Sequence, residues 1–433
     1  MWKLACIFPE SVRWLLFRLL SRIIAAGAGN PAAVSETVSI AEPRRCYWIF
    51  CSTIGELNAC KPLLEQLYRR FDLLLLTDRD CYPDSYRQQF PRAATEVLTA
   101  GGQNIEALYQ RYPPIAALVC EIPLMLHDAP CRLSYAVVRY LRQQKISIAL
   151  VNGWLYQYLP SCTQDRIETQ WFGKAYWQSF DLMTVQTDKV RQVMLAKGAA
   201  ADKVVVTGNM KFDSLFNAAE TPWPEQSNSL LQQLHGGDFP VLVAGCVTDV
   251  WEYQLLLDAL VPVLQQFPEL RCVLAPRHPE KPEQLMALRT LLQERQLSFQ
   301  QKTALSAAEA FTSQLLILDT IGELKAFYQV ADLCYVGINH NVLEPLASGK
   351  PVIVMQGWNE TYPSYPVYEL TLQQGLLMQV ADSTELSQLL LQQLQQQQPA
   401  VTAEKLHTLT GATARNLALL QQYPPFAGGA ANG

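Results

Sequence analysis

The stretch that decides the fold runs from Tyr335 to Val352 and reads YVGINHNVLEPLASGKPV. An apolar run ends at Val336, a polar turn follows, and Asn341 stands three residues before Glu344, a spacing typical of a helix start. In open α/β sheets, ligands bind at the carboxyl ends of strands, where a helix N-terminus offers unpaired N–H groups to a phosphate. The same Asn-x-x-Glu spacing is also a capping pair that needs no ligand. The stretch alone therefore leaves both interpretations open.

The rest of the chain repeats this alternation of apolar runs and helical patterns. Residues 57–70 and 134–144 have the apolar spacing of helices, and short apolar runs bounded by turn residues predict strands. The predicted strands are CYWIFC, FDLLLLT, AALVCE, ISIALVN, DLMTVQ and KVVVTG in the first half, and PVLVAG, RCVLAP, LLILD, DLCYVG and KPVIVM in the second. Such alternation predicts parallel sheets with helices on both faces.

Length and composition predict two domains. The chain has 433 residues, of which 49% are hydrophobic and 17% charged, too long for one compact core and too apolar for disorder. Residues 218–238 are rich in Pro, Gln, Ser and Gly and are predicted to link domains at 31–217 and 239–433. The net charge of −5 argues against nucleic acid as a partner. The 11 cysteines form no C-x-x-C pair, so neither a zinc site nor a disulfide framework is predicted.

At the N-terminus, residues 1–30 combine apolar and basic residues in a helical pattern. The apolar positions are Val12, Leu15, Leu16, Leu19 and Ile23, and the arginines around them are Arg13, Arg18 and Arg22. A secretory signal needs an uninterrupted apolar stretch of about 7 to 15 residues, and a membrane-spanning helix needs about 20. We therefore expect an amphipathic helix that lies on an anionic membrane surface. The alternative is a helix that packs on its own domain.

Five other segments accompany the first stretch, and those from Cys51, Ala244 and Leu318 have the same strand-to-helix form. The five are CSTIGELNACKPLLEQL from Cys51, VVVTGNMKFD from Val204, AGCVTDVWEYQLLL from Ala244, CVLAPRHPEKPEQL from Cys272 and LDTIGELKAFY from Leu318. In order and approximate spacing, the set resembles the family of 3-deoxy-D-manno-octulosonic acid (Kdo) transferases that glycosylate lipid A. The resemblance runs from about Trp48 to the end of the second domain.

This resemblance implies an α/β glycosyltransferase of the GT-B type, with two Rossmann-like domains facing a cleft. The first domain would bind a glycolipid acceptor of the lipid A or lipopolysaccharide type, and the second a CMP-Kdo donor, with no cofactor. It also implies a peripheral protein at the cytoplasmic face of the bacterial inner membrane. No carboxylate or histidine cluster in the sequence marks a cation site, so we expect transfer without a metal. Two alternatives stay open: a divergent relative that binds nucleotide or glycolipid without turnover, and a GT-B enzyme that uses a UDP-sugar.

Glu56 is the predicted catalytic base. It follows an apolar strand and a turn of small residues, including Ser52 and Gly55, which would bring its carboxylate to the ligand-binding edge. Its position matches the general-base glutamate of the family that the chain resembles. The alternative is a capping box, Thr53-x-x-Glu56, in which the glutamate binds its own helix end.

Arg277 and His278 directly follow the predicted strand CVLAP. A guanidinium holds a phosphate through two parallel hydrogen bonds, so Arg277 is the predicted ligand of the cytidylate phosphate, with His278 supporting it or orienting the turn. Lys211 is expected to pair with the donor's carboxylate; the alternative is an exposed lysine on a loop. Thr320 and Glu323 have the spacing of a capping box, which is the alternative to a donor-site role for Thr320. The donor-side residues, including those implied by the resemblance, are Gly245, Thr248, Lys211, Asp319, Thr320, Gly322, Asn341 and Glu344.

The departures from the family that bear on specificity fall in the first domain. The family's Glu-x-Glu-Leu-Trp-Pro-Asn is replaced by EIPLMLH at 121–127, and its Asn-Ala-Arg-Leu-Ser by NGWLY at 152–156, so one acid and one arginine are lost. In the second domain, the loop before His340 is shorter than in the family. We therefore expect an ordinary donor and an altered acceptor. The predicted acceptor-side residues are Ser52, Gly55, Glu121, Asn152 and Trp154. For the aromatic side chains from Trp154 to Trp177, the alternative to stacking on a sugar ring or a lipid surface is packing in the core.

Overall fold

The computed structural model describes residues 8–25, 45–99, 101–122, 124–126, 132–154, 160, 162–216, 223–306, 309–396 and 403–426. The chain divides into two compact units. Unit 1 comprises Met1–Ser214 and Leu409–Gly433, and unit 2 comprises Leu215–Thr408.

Unit 1 is built on a parallel sheet of seven strands in the order β3-β2-β1-β4-β5-β6-β7. The strands are β1 (Cys46–Phe50), β2 (Leu73–Thr77), β3 (Ala94–Val97), β4 (Pro114–Cys120), β5 (Ile148–Gly153), β6 (Leu182–Val185) and β7 (Val204–Val206). Side chains alternate between the two faces of a strand, so Trp48 and Phe50 join one apolar cluster while Tyr47 and Ile49 join another. Both faces are covered, which is why the central strands are continuous apolar runs.

Helices connect these parallel strands. The helices of the first half are α1 (Glu10–Ala25), α2 (Ile54–Tyr68), α3 (Pro83–Gln89), α4 (Ile105–Arg111), α5 (Tyr135–Gln143), α6 (Thr163–Gln178), α7 (Asp188–Ala196) and α8 (Lys211–Phe216). The predicted helices at 57–70 and 134–144 correspond to α2 and α5 and are confirmed.

Unit 2 repeats the scheme with seven parallel strands in the order β10-β11-β9-β8-β12-β13-β14. The strands are β8 (Val241–Val247), β9 (Arg271–Pro276), β10 (Phe299–Gln301), β11 (Leu315–Ile317), β12 (Leu333–Val336), β13 (Val352–Met355) and β14 (Met378–Val380). The helices that follow in the chain are α9 (Asn228–Gly236), α10 (Val250–Gln266), α11 (Pro282–Glu294), α12 (Leu324–Val330), α13 (Leu343–Ala347), α14 (Tyr365–Gln373), α15 (Ser383–Gln396), α16 (Ala403–His407) and α17 (Ala412–Gln421).

Every predicted strand is present, but three strands were not predicted. These are β3, β10 and β14, which have only three or four residues each and lie at edges of their sheets. An edge strand is covered on fewer sides, so its sequence lacks the continuous apolar run on which the prediction depended. All residues of β3 and β10 are only half-buried.

The two ends of unit 2 differ from the predicted boundaries. Within the predicted linker 218–238, residues 225–227 form a 3-10 turn, and α9 buries Leu230, Leu231 and Leu234. Residues 409–426 return to unit 1, where α17 packs on α2. The Asp213 carboxylate accepts hydrogen bonds from the backbone N–H of Gly411 at 2.6 Å and of Thr413 at 2.5 Å. The second domain therefore ends at Thr408.

The N-terminal helix α1 has two apolar faces, not one. On one face, Phe17 is 7% exposed and Trp14 contacts Tyr135 and Phe172 edge to face. The predicted stripe is on another face, where Leu15 is 62% exposed; the other exposed members are Val12, Leu16 and Leu19. The side chains of Arg22 and Ile23 lie outside the described residues. The packing alternative thus holds for one face, whereas membrane binding by the other, exposed apolar face stays a prediction. Among the described helices, none is long and apolar enough to span a bilayer.

Candidate active site

The loop after β1 places Ser52 and Glu56 between β1 and β4, where the strand order of unit 1 reverses. Glu56 is 2% exposed, and its Oε2 accepts a hydrogen bond of 2.6 Å from the Ser52 N–H. The Thr53 hydroxyl accepts from the Glu56 N–H at 3.3 Å, while Gly55 is exposed beside it. The helix-capping interaction is therefore present, and it holds the Glu56 carboxylate at the ligand-binding edge.

A polar network joins the ends of the next four strands, β4 to β7. Lys211 Nζ lies 3.0 Å from Glu121 Oε1, which also accepts hydrogen bonds from Asn152 Nδ2 at 3.1 Å and Gln186 Nε2 at 3.2 Å. Burial raises the pKa of Glu121, and the contacts with Lys211, Gln186 and Asn152 oppose that rise. Lys211 was predicted to pair with the donor's carboxylate, but the structure pairs it with Glu121 within unit 1.

Two residues of this network have a left-handed backbone. Glu121 and Asn152 both have φ of +56°. Asparagine adopts this conformation more readily than most residues, whereas for Glu121 it costs roughly 1 to 3 kcal/mol. Hydrogen bonds hold both: the Glu121 carbonyl accepts from the Trp154 N–H at 2.7 Å, and Asn152 Oδ1 accepts from the Met210 N–H at 2.9 Å. Their side chains are thereby turned toward each other at the edge of the sheet.

Trp154 lies in the core of unit 1. It is 6% exposed and belongs to the same apolar cluster as Trp171, Tyr176 and Trp177. The prediction that Trp154 lines the acceptor site is thus at odds with its burial, because a side chain this enclosed offers little surface to a ligand. Of the two altered segments, residues 123, 127 and 155–156 lie outside the described residues.

In unit 2, the strand order reverses between β8 and β12. Gly245, near the end of β8, is required by packing: a Cβ there would lie 1.9 Å from the Tyr328 hydroxyl. We predicted that a small residue admits a ligand here, but Tyr328 occupies that space. The next residue, Cys246, has φ of +60° and turns the chain toward Thr248.

Glu252, which the sequence analysis missed, joins the loops after β8 and β12. It is 1% exposed, and Oε1 accepts hydrogen bonds from the Tyr335 hydroxyl at 3.0 Å and the Ile338 N–H at 2.9 Å. Oε2 lies 3.4 Å from the Thr248 N–H, so this glutamate occupies the place in unit 2 that Glu56 occupies in unit 1. Burial raises the pKa of Glu252, and these hydrogen bonds oppose the rise. A sequence signal existed, because each glutamate is the third residue of the helix that follows a central strand.

The two loops that Glu252 joins meet in a contact of 2.7 Å between Thr248 Oγ1 and His340 Nε2. Burial lowers the pKa of His340 to about 4, and the positive charges of Arg277 and His278 add to this effect. The imidazole is therefore neutral at neutral pH. His340 lies in the stretch from Tyr335 to Val352, although it was not among the predicted site residues.

Arg277 follows β9 and is exposed, with its backbone N–H bonded to the Val247 carbonyl at 3.0 Å. Its positive charge adds to the lowering of the pKa of His340 and opposes the rise in the pKa of Glu344 that burial causes. His278, the next residue, contacts Glu280 Oε1 through Nδ1 at 3.0 Å, as expected of a residue that orients the turn. These residues share one edge, because β9, β8 and β12 are neighbours in the sheet.

Asn341 and Glu344 form a local pair. Asn341 Nδ2 donates to Glu344 Oε1 at 3.3 Å, and Asn341 Oδ1 accepts from the Leu343 N–H at 3.0 Å. The helix begins at Leu343 with Val342 as its cap residue, one position later than the sequence predicts. Burial raises the pKa of Glu344, and the Asn341 hydrogen bond opposes this. Asn341 is exposed, so the pair with Glu344 stays a candidate for contacts with the ribose or the base.

The third donor-side segment follows β11, next to β9. Asp319 accepts a hydrogen bond of 3.0 Å from the Thr303 N–H, and the Thr320 hydroxyl donates to the Glu323 carboxylate. The capping box at Thr320 is not formed, because the helix begins at Leu324 with Glu323 as its cap residue. Glu323 also binds Lys302 Nζ at 2.5 Å. Gly322 has φ of +90° with open space around it, which suits a turn that only glycine adopts readily.

Among the residues that the structure describes, no group of three or more His, Cys, Asp or Glu is arranged to hold a metal ion.

Comparison with known proteins identifies the family. The family described as 3-Deoxy-D-manno-octulosonic-acid transferase (kdotransferase) matches residues 133–214. The 3-deoxy-D-manno-octulosonic acid transferase of Haemophilus influenzae is 27% identical over 327 residues, covering 72% of this chain and 70% of the relative. That of Chlamydophila psittaci is 25% identical over 326 residues, covering 71% and 68%. The chain is a divergent member of the Kdo transferase family.

Solved structures support the same two-sheet fold. A glycosyltransferase from Rickettsia africae superposes with a TM-score of 0.60 at 10% identity, covering 88% of this chain and 98% of that one. A UDP-GlcNAc 2-epimerase from Neisseria meningitidis, bound to UDP-GlcNAc, has a TM-score of 0.59 at 14% identity, covering 87% and 99%. This Kdo transferase therefore has the predicted two-domain α/β fold of the GT-B type. That it is a glycosyltransferase rests on its family and not on these structures.

The burial of Trp154 predicts the effect of restoring the family's arginine. Trp154→Arg should lower the free energy of unfolding by about 3 kcal/mol or more, because it removes a large core side chain and buries a charge. Denaturant unfolding measures this, with Trp251→Arg as the control, since Trp251 is 49% exposed on α10. Equal stability of both variants would show that Trp154 faces a ligand site and not the core.

Proposed function

We propose that this Kdo transferase takes Kdo from a CMP-activated donor and transfers it to a glycolipid of the lipid A type, without a metal. The supporting observation is the edge of unit 2, where an exposed arginine and a half-buried, neutral histidine follow the strands on either side of β8. Arg277 is available to a phosphate, and the contact between Thr248 and His340 fixes the neighbouring loops. A guanidinium can bind two oxygens of one phosphate at once, and no second cation is needed for that geometry.

In the proposed reaction, Glu56 takes the proton of an acceptor hydroxyl. The hydroxyl oxygen then forms a bond to the anomeric carbon of Kdo, and the bond between that carbon and the phosphate oxygen breaks. CMP leaves with the electron pair, and Arg277 stabilises the phosphate charge that remains. The buried position of Glu56 at the edge of unit 1 supports its part in this scheme. In a site with little water, few water molecules compete with the acceptor hydroxyl for the carboxylate.

The exposed apolar face of α1 supports attachment to the cytoplasmic face of the inner membrane. Leu15 and Leu19 are 62% and 49% exposed, and Arg18 is exposed beside them. Leucines that insert among acyl chains and arginines that face anionic head groups are the pattern of an interfacial helix. A glycolipid acceptor is found at the same surface.

Incubation of the purified protein with CMP-Kdo and a lipid A precursor tests the proposal. We expect free CMP and a lipid heavier by one or more Kdo residues in the mass spectrum, with turnover unchanged by EDTA. No product with CMP-Kdo, together with product from a UDP-sugar, would overturn the donor assignment. No turnover with either donor, but with CMP still bound, would indicate a non-catalytic relative.

The catalytic role of Glu56 is tested by Glu56→Gln, which keeps an oxygen for the Ser52 N–H but cannot act as a base. We expect turnover at saturating donor to fall by about 10² to 10⁴, with CMP affinity unchanged. The matched variant is Glu252→Gln, which makes the same change at the corresponding position of unit 2. It should lower the melting temperature by a similar amount and reduce turnover less than tenfold. Equal loss of turnover in both variants would assign Glu56 a capping role only.

The phosphate-binding role of Arg277 is tested by Arg277→Lys, which keeps the charge but loses the two-pronged geometry. CMP should bind about tenfold more weakly in titration calorimetry at constant salt. Arg289→Lys is the control, because Arg289 is an exposed arginine on α11 of the same unit. Equal CMP affinity in Arg277→Lys and wild type would remove Arg277 from the donor site.

Membrane attachment through α1 is tested by the double variant Leu15→Ser and Leu19→Ser. Deletion of the helix is a poorer test, because it would also uncover the surface on which Phe17 packs. We expect binding to anionic vesicles to weaken at least tenfold, since burial of a leucine is worth roughly 1.5 to 3 kcal/mol. Added salt should weaken wild-type binding without abolishing it.

The control for this prediction is Met286→Ser with Ile321→Ser, two exposed apolar residues of unit 2. Vesicle binding that is unchanged in the α1 variant, or lost equally in the control, would show that the helix is not the point of attachment.

A further inference from the structure

A cavity of about 560 Å³ lies in unit 1, away from the carboxylate of Glu56. Its walls come from α1, from the residues before α4, from the start of α5 and from α6. The side chains that matter for binding are Trp14, Arg18, Arg132, Ser134, Tyr140 and Glu168. This volume is within the range of pockets that hold small ligands.

Three polar side chains of the cavity wall are buried and incompletely bonded. Arg132, Ser134 and Glu168 are 7%, 3% and 2% exposed. Arg132 Nε, Ser134 Oγ and Glu168 Oε2 have no hydrogen-bond partner within the described structure. Arg132 Nη2 lies 3.7 Å from Glu168 Oε2, within range of an ion pair but too far for a hydrogen bond. Buried polar atoms without partners are rare in proteins and indicate a ligand or water at the site.

Between Arg132 and Glu168, the wall favours a hydroxyl group over an anion. A phosphate at Arg132 would be repelled by the neighbouring Glu168, whereas a hydroxyl can accept from the guanidinium and donate to the carboxylate. Burial raises the pKa of Glu168 to about 7, and the attraction of Arg132 opposes that rise. Trp14 and Tyr140 add aromatic surface, which suits the apolar face of a sugar ring.

The cavity is connected both to the edge that bears Glu56 and to the exposed face of α1. The Arg132 backbone N–H donates to Asp78 Oδ2 at 3.0 Å, and the Ser52 hydroxyl donates to the other oxygen of Asp78. On α1, Arg18 lines the cavity, while its neighbour Leu19 is exposed on the apolar face. A lipid whose chains lie along that face would have its head group near the mouth of the cavity.

We propose that this cavity binds a sugar ring of a membrane glycolipid, with ring hydroxyls bonded to Arg132, Ser134 and Glu168. The identity of that glycolipid as the acceptor rests on the proposed function. The cavity thereby provides a second contact for the acceptor, apart from the hydroxyl at Glu56.

Calorimetric titration with n-octyl β-D-glucoside below its micelle concentration tests the sugar site on the full-length protein. Tetraethylene glycol monooctyl ether, which has the same alkyl chain without the sugar, is the comparison ligand. We expect the glucoside to bind at least tenfold more tightly than the ether. Equal affinities would overturn the proposal, because they would show that only the alkyl chain is recognised.

Ala136→Trp fills the cavity without removing a polar partner, since Ala136 lines the cavity and is only half-buried. It should weaken glucoside binding at least tenfold and raise the KM for the lipid A precursor, with CMP affinity unchanged. Ala107→Trp is the matched control, on an exposed position of α4 outside the cavity. Should Ala136→Trp prove unstable, Ser134→Ala removes one contact with little change in volume and should weaken glucoside binding alone.

The two proposals fail in different ways. Glucoside binding that survives Ala136→Trp overturns the cavity proposal, whether or not the enzyme transfers Kdo. Glucoside binding that Ala136→Trp abolishes, in a protein that gives no product with CMP-Kdo, supports the sugar site and overturns the proposed function.

Discussion

A buried glutamate in the first helical turn fixes the ligand-binding edge of each unit. Glu56 accepts from the Ser52 N–H after β1, and Glu252 accepts from loops after β8 and β12. A buried carboxylate is tolerated only where hydrogen bonds replace its water, and loss of those bonds costs several kcal/mol. The loops must therefore stay where their N–H groups meet the carboxylate. The close contact of Thr248 with His340 is one consequence of that constraint.

The two edges differ in charge although they are built in the same way. Unit 1 brings the carboxylates Glu56 and Glu121 to one edge and balances the second with Lys211. Unit 2 presents Arg277 beside a histidine that burial keeps neutral. A general base and a phosphate-binding group need opposite electrostatic surroundings. Positive charge holds a phosphate, but near a carboxylate it lowers the pKa and so weakens the base. Each of the two sheets supplies one of these surroundings at its own ligand-binding edge.

The sequence predicted the central strands well, because burial on both faces leaves a continuous apolar run. It predicted neither β3, β10 and β14 nor the return of residues 409–426 to unit 1. That return depends on Asp213, which binds residues nearly 200 positions away, and no local pattern contains such a contact. The motif loops were found by resemblance, yet the partners of their side chains were not: Lys211 binds Glu121, and Tyr328 fills the space at Gly245. Single-sequence patterns give position along an element, whereas the partner of a polar side chain depends on which strand ends are adjacent.

The helix α1 shows why a choice between core and membrane was not available from the sequence. Trp14 and Phe17 point to unit 1, Leu15 and Leu19 point away, and the arginines interrupt both sets. The helical spacing of the sequence does not distinguish the apolar face that packs on unit 1 from the apolar face that is exposed. Because Trp14 and Arg18 also line the cavity, a shift of α1 on a membrane would change the cavity as well. The bond from Arg132 to Asp78, and from Asp78 to Ser52, continues from that cavity to the loop that holds Glu56. The position of α1 and the geometry at the candidate base are thus linked through described contacts.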